Sequence, residues 1–157
     1  MAPPEADAGV MRITFLYSGQ GDCIVIECPN GGNIVVDCGS TDYSGRTSAA
    51  QLRADFAAVI GADESIQALV VTHPDSDHYN RLASVIGDRP VGRVIHSLAI
   101  DRYGMDFGAW LREHAAEEIA FVRRTYEHEP SDLFECGGPT FQIMAVNAPR
   151  STSWTPA

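Results

Sequence analysis

The chain has 157 residues, 45% apolar and 20% charged, a balance ordinary for a globular protein, and a domain of this length buries roughly 70% of its unfolded surface. No run of about 18 apolar residues occurs, so no membrane-spanning helix and no membrane partner are expected. The net charge of −10 and pI near 4.7 disfavour non-specific adhesion to nucleic acid or anionic membranes, although bound cations reverse charge locally and keep a metal-dependent nuclease open.

Residues 1–10 lack the basic and apolar regions of a signal peptide; they read as a disordered leader and point to a cytoplasmic protein. Residues 11–17, 23–28 and 33–37 read as three successive strands, joined by Gly19-Gln20-Gly21-Asp22 and by the hairpin residues Pro29-Asn30-Gly31-Gly32. Ser48 and Gln51 form a capping box ahead of Leu52, Phe56, Val59 and Ile60, which share one helical face, and Gly61 stops that helix. Residues 66–71 form the next strand. A helix is predicted over 77–86, closed by Gly87 and Pro90, then a strand over 91–97. The spacing of Phe107, Trp110 and Leu111, with the alanines that follow, predicts a helix to about Glu118, and residues 119–123 read as a strand. No linker divides the chain, so one domain is expected over 11–150, with 151–157 as a tail. The alternation of strands and helices gives an α/β layer with helices on a mixed sheet.

The segment after the strand Ala68-Leu69-Val70-Val71 carries the chemistry. In Thr72-His73-Pro74-Asp75-Ser76-Asp77-His78, four side chains able to bind a metal fall within six residues. An extended chain throws alternate residues to one side, so His73, Asp75 and Asp77 can converge as the strand ends, and His78 comes round as a helix begins. Such a set suits one or two divalent cations and hydrolysis. The bland alternative is an exposed helix N-terminus, where Asp and Ser are common caps.

This segment resembles the metal motif of the metallo-β-lactamase superfamily, usually His-x-His-x-Asp-His, with Asp75 in place of the second His. That variant, together with Ile13-Thr14-Phe15-Leu16-Tyr17-Ser18-Gly19-Gln20-Gly21-Asp22-Cys23-Ile24-Val25-Ile26, resembles the hydrolase domain of the ComEC competence family and its free-standing relatives. Asn33-Ile34-Val35-Val36-Asp37-Cys38-Gly39-Ser40 fits the same pattern, in which an Asp-x-Gly turn lies beside the site. The resemblance covers about residues 11 to 100. It implies a metal-dependent hydrolase, with His73, Asp75, Asp77 and His78 as metal ligands and Asp22 and Asp37 as near-site structural residues. Superfamily members are usually over 200 residues long, built from two similar halves. The resemblance therefore implies the N-terminal half of an αββα sandwich, a mixed sheet with helices on one face.

In the reaction so implied, a metal-bound hydroxide attacks, and the Asp77 carboxylate orients it and takes its proton. Asp75 in place of His makes the ligand set harder and richer in oxygen, moving preference from strict zinc towards manganese and favouring phosphodiester over lactam, lactone or thioester substrates. A lone half leaves an apolar sheet face that a complementary half-domain, a partner subunit or a second copy should cover. The competing class is a non-catalytic metal-binding or interaction module. Cys23, Cys28, Cys38 and Cys136 form no Cys-x-x-Cys pair. Cys28 and Cys38 could meet across a hairpin, but free buried thiols are expected where no export signal is present. His96 and His114 read as packing and surface residues. Tyr79 reads either as a space-filler or as a residue shaping substrate access.

Overall fold

The computed structural model describes residues 9–41, 48–121, 135–139 and 141. Six strands form one sheet: β1 (Arg12–Phe15), β2 (Cys23–Glu27), β3 (Asn33–Cys38), β4 (Ile66–Val71), β5 (Val91–Ser97) and β6 (Ala115–Phe121). Their order in the sheet is their order in the chain. β1, β2 and β3 pair antiparallel, whereas β3, β4, β5 and β6 pair parallel. The short turns expected near Gly21 and Gly31 make the first geometry; the second needs crossovers, which the intervening helical segments provide. The sheet is therefore mixed, as the sequence predicts.

The period-2 pattern sorts the strand residues between two faces. Val25, Val35, Leu69, Val71 and Val94 meet Leu52, Phe56 and Ile60 of helix α1 (Ala49–Ile60) in one core. The same core takes Leu82, Val85 and Ile86 of α3 (Leu82–Ile86) and Phe107, Trp110 and Leu111 of α4 (Met105–His114). The opposite face carries Ile26, Ile34 and Ala68, with Ile24, Val36 and Val70 packed beside them. Among the described residues no helix covers it. Ile13 and Phe15, paired with Ile26 and Ile24, extend this face to the β1 edge, where Phe15 is 75% exposed.

Local signals set the ends of α1. The Ser48 side chain accepts from Gln51 N at 3.0 Å, and Gly61, at φ 77°, donates its backbone N–H to Ala57 O. The Gln51 side chain reaches forward to Asp55 at 2.8 Å, so only half of the capping box forms. Buried Arg89 then donates to the carbonyls of Ile86 and Gly61, at 2.8 and 3.0 Å, and serves two helix ends at once.

Three expectations need correction. The helix over 77–86 is two short pieces, α2 (Ser76–Tyr79) and α3. Between them Asn80 hydrogen-bonds the backbone of Ser40 through both its amide nitrogen and its carbonyl oxygen, at 2.8 and 2.9 Å, and Arg81 N donates to Cys38 O. The Arg81 N–H that would continue one helix is thus spent on the exit of β3. The last predicted helix ends at His114, and residues 115–118 join β6 instead, because pairing with β5 starts at Val91↔Ala115. Among the described residues β6 is an edge strand, with a largely exposed Ala-Ala-Glu-Glu start, so tertiary pairing overrides a helix-favouring composition. Finally, Cys28 is not a free thiol: it is disulfide-bonded to Cys136, 108 residues away. Glu135 O also accepts from Asn30 and Gln67, fixing that segment at the end of the sheet where β2 finishes. The predicted strand residues 122–123 lie outside the described residues.

Candidate metal centre

β3 and β4 run parallel, so their C-terminal ends, Cys38 and Val71, lie at the same edge of the sheet. Ligand sites of open α/β sheets form at this edge. The motif leaves β4 there: His73 and Asp75 occupy the connecting loop, and Asp77 and His78 sit in α2. Asp75 stands at the N-cap of α2, but its side chain makes no cap hydrogen bond. Its carboxylate meets His73 Nε2 at 3.0 Å instead. The capping explanation for this Asp therefore fails, and its carboxylate belongs to the histidine cluster. The rings of His73 and His78 are 3.8 Å apart at their centroids.

Asp37 organises the floor. It is the penultimate residue of β3 and has a φ of 54°, a left-handed conformation that Asp tolerates better than most side chains. Its side chain is nearly fully buried. One carboxylate oxygen accepts from Thr72 N at 2.8 Å; the other accepts from Thr72 Oγ1 at 2.6 Å and meets His78 Nδ1 at 2.7 Å. A carboxylate only accepts, so the hydrogen between them belongs to His78 Nδ1, and in the neutral imidazole Nε2 keeps the lone pair a metal requires. Carboxylate–histidine pairs of this kind fix the tautomer of metal-ligating imidazoles.

Asp22, in the loop before β2, joins the group. Ligand atoms of Asp22, Asp37 and His78 all lie within 4.8 Å of one another. Asp77 is partly exposed, and its carboxylate makes no hydrogen bond among the described residues. The structure thus gathers His73 with Asp75 and His78, and His78 with Asp37 and Asp22, while the Asp77 carboxylate stands uncommitted. Thr72, whose backbone and hydroxyl both bind Asp37, carries no recognisable signal in the sequence.

Two glycines let the motif approach this closely. A Cβ on Gly39 would run into the Asp77 backbone and lie 2.6 Å from His78 N. A Cβ on Gly21 would collide with the carbonyls of Gly39 and Asp77. Three backbone segments are stacked here at a spacing that only glycine permits.

Aromatic packing supports α2 from below. Tyr79 lies edge-on to Tyr103 at 5.3 Å, and its hydroxyl accepts from Gly104 N at 2.9 Å, the space-filling role. Burial pushes the Tyr103 hydroxyl above its ordinary range, and that hydroxyl donates to Ser97 O at 2.8 Å. His96 is fully buried and meets Glu118 at 2.9 Å. His114 stacks on Trp110, away from the motif.

A profile described as the metallo-beta-lactamase superfamily matches residues 16–155. The chain belongs to this superfamily. One solved structure, of a CmlA beta-hydroxylase mutant, is 19% identical with a TM-score of 0.40; the likeness covers 73% of this chain and 22% of that one. The chain thus spans about a fifth of that protein's length. No curated protein matches the chain.

The residues present fit the divalent cations that metallo-β-lactamase superfamily members typically bind. Imidazole and carboxylate groups meet at one edge of the sheet, and the tautomer of His78 is set for coordination. Among the described residues, no helix is long and apolar enough to cross a membrane.

Proposed function

We propose that the chain supplies the cation-binding side of a metal-dependent phosphodiesterase, of the kind found in the ComEC hydrolase domain. His73, Asp75, Asp77 and His78 would hold one or two divalent cations, manganese or zinc. Asp37 orients His78, and Asp22 adds a carboxylate at the rim. The observation that carries this reading is the Asp37–His78 contact at 2.7 Å, which a merely exposed helix start has no use for. A bound cation would acidify water towards neutral pH and polarise a phosphoryl oxygen. The oxygen-rich donor set favours hard cations and hence phosphodiester substrates, nucleic acid among them. Asp77, with its carboxylate uncommitted, takes the proton of the attacking water, while buried Asp37, held by Thr72, keeps His78 in register. Further ligands come from a complementary half, in cis or in trans, stacked on the sheet face that no described helix covers.

A second reading, a non-catalytic metal-binding module, is favoured by the small number of ligands gathered among the described residues. The pair His73→Ala with Asp77→Ala tests both. Bound metal measured by mass spectrometry should disappear from the variant while the fold survives, and equal metal content would sink the assignment. With manganese and a phosphodiester substrate, turnover by the parent supports the hydrolase; metal binding without turnover in the complete assembly supports the module.

A further inference from the structure

Two cysteines remain that this mechanism does not use. Cys23 opens β2 and Cys38 closes β3, and they pair across the antiparallel ladder beside a bulge, where the register shifts between Cys23 and Ile24. Their sulfurs are 3.1 Å apart, and both side chains are buried, at 1% and 0% exposure. The same chain already joins Cys28 to Cys136. Such bonds persist where thiols are not kept reduced, which weighs against the cytoplasmic setting expected from the leader.

We propose that Cys23 and Cys38 close a second disulfide, a staple between the two strand ends that present Asp22 and Asp37. Each cysteine directly follows one of these carboxylates in the chain, and Gly39 N, one residue beyond Cys38, donates to Asp22 O at 3.1 Å. The oxidant is a small-molecule disulfide such as oxidised glutathione. One cysteine sulfur, after losing its proton, attacks that disulfide and releases one thiol. The second cysteine sulfur then attacks the mixed disulfide and releases the other. Two S–H bonds and one S–S bond break, one S–S bond forms, and the oxidant leaves as two thiols carrying both protons. Both cysteines are buried once the strands have paired, so the bond forms while β2 and β3 are closing, and burial then shields it from reductants. The bond itself does not depend on the proposed function. Its consequence does: with the staple closed, Asp22 is held at a fixed reach from Asp37 and His78.

The full chain, refolded in mixed oxidised and reduced glutathione, is denatured with N-ethylmaleimide, weighed intact and peptide-mapped. The expected result is no label and two cross-linked peptides, Cys23–Cys38 and Cys28–Cys136. Label on both Cys23 and Cys38 beside an intact Cys28–Cys136 bond would overturn the proposal, as would a scrambled pairing. The Cys28→Ser, Cys136→Ser variant should still form the Cys23–Cys38 bond; if it fails to fold, the map of the parent decides. In manganese titrations, Cys23→Ala with Cys38→Ala should bind about tenfold more weakly than the oxidised parent, the low end of the cost of losing outer-shell support. Equal affinity would overturn the staple's role at the site. Absence of manganese binding in either protein would overturn the metal reading and leave the bond standing on its map.

Discussion

Asp37→Asn changes one atom and leaves the volume of the site intact. In the native site both carboxylate oxygens are occupied, one by Thr72 N and the other by Thr72 Oγ1 and His78 Nδ1. An amide can satisfy only one side. With its nitrogen towards Thr72 N, two donors face each other and the buried amide at position 37 loses its partner, at a cost of about 1–3 kcal/mol. With its nitrogen towards His78, the imidazole must accept on Nδ1 and carry its proton on Nε2, which removes the lone pair needed for coordination. Loss of an outer-shell partner typically costs about 10- to 100-fold in metal affinity, equivalent to about 1.4–2.7 kcal/mol. Calorimetric titration with zinc or manganese should show this loss. Nitrogen-15 NMR of the imidazoles should report the tautomer change at His78. For a chain of this size, about 2 kcal/mol of destabilisation lowers Tm by about 4–8 °C. Unchanged affinity with an unchanged His78 tautomer would refute the reasoning. A lower Tm with native affinity would reduce Asp37 to a purely structural group.

Gly39→Ala should destabilise the chain by about 2–3 kcal/mol in urea denaturation, because the new Cβ pushes the Asp77 backbone off the β3 exit. It should also weaken metal binding; native stability would show that the glycine cradle is dispensable. Stability should fall at alkaline pH. Burial raises Tyr103 from its ordinary value of 10.0, so the neutral hydroxyl is favoured in the folded state. Its contribution is complete below about pH 10 and is lost as pH rises through the folded value. Tyr103→Phe should flatten that alkaline decline in urea midpoints measured from pH 8 to 11 (an assay range set about the ordinary tyrosine value), and identical slopes would refute the assignment.

The strands were legible wherever apolar residues alternate or run together, and β4 and β5 match their predicted bounds because buried parallel strands read as continuous apolar segments. The helix predicted over 77–86 breaks for a reason local sequence cannot hold: Asn80 and Arg81 pair with Ser40 and Cys38, some forty residues earlier. The polar start of β6 reads as helix because its strand identity comes only from its neighbour β5. Cys136 gives no hint of Cys28, since spacing alone does not determine pairing. At the site, the crowding of His73, Asp75, Asp77 and His78 within six residues was visible at once. That Asp37 lies beside the site came only through the family resemblance, and its contact with His78 only from the structure. Thr72, an ordinary residue following a strand, could be found only from the contacts it makes.

The Cys28–Cys136 bond also decides how the molecule would carry a mechanical load. A pull on the chain beyond residue 136 reaches the sheet through Cys28 at the end of β2, inside the antiparallel hairpin, and bypasses β6 at the parallel edge. Among the described strands β6 pairs with β5 alone, and it is thereby spared. Tension enters instead at a strand paired on both sides, at the sheet end remote from the histidines. In single-molecule stretching, the oxidised chain should keep β3 to β6 inside a covalent loop that force cannot extend. Reduction of the bond should release that hidden length as an added step in the extension trace.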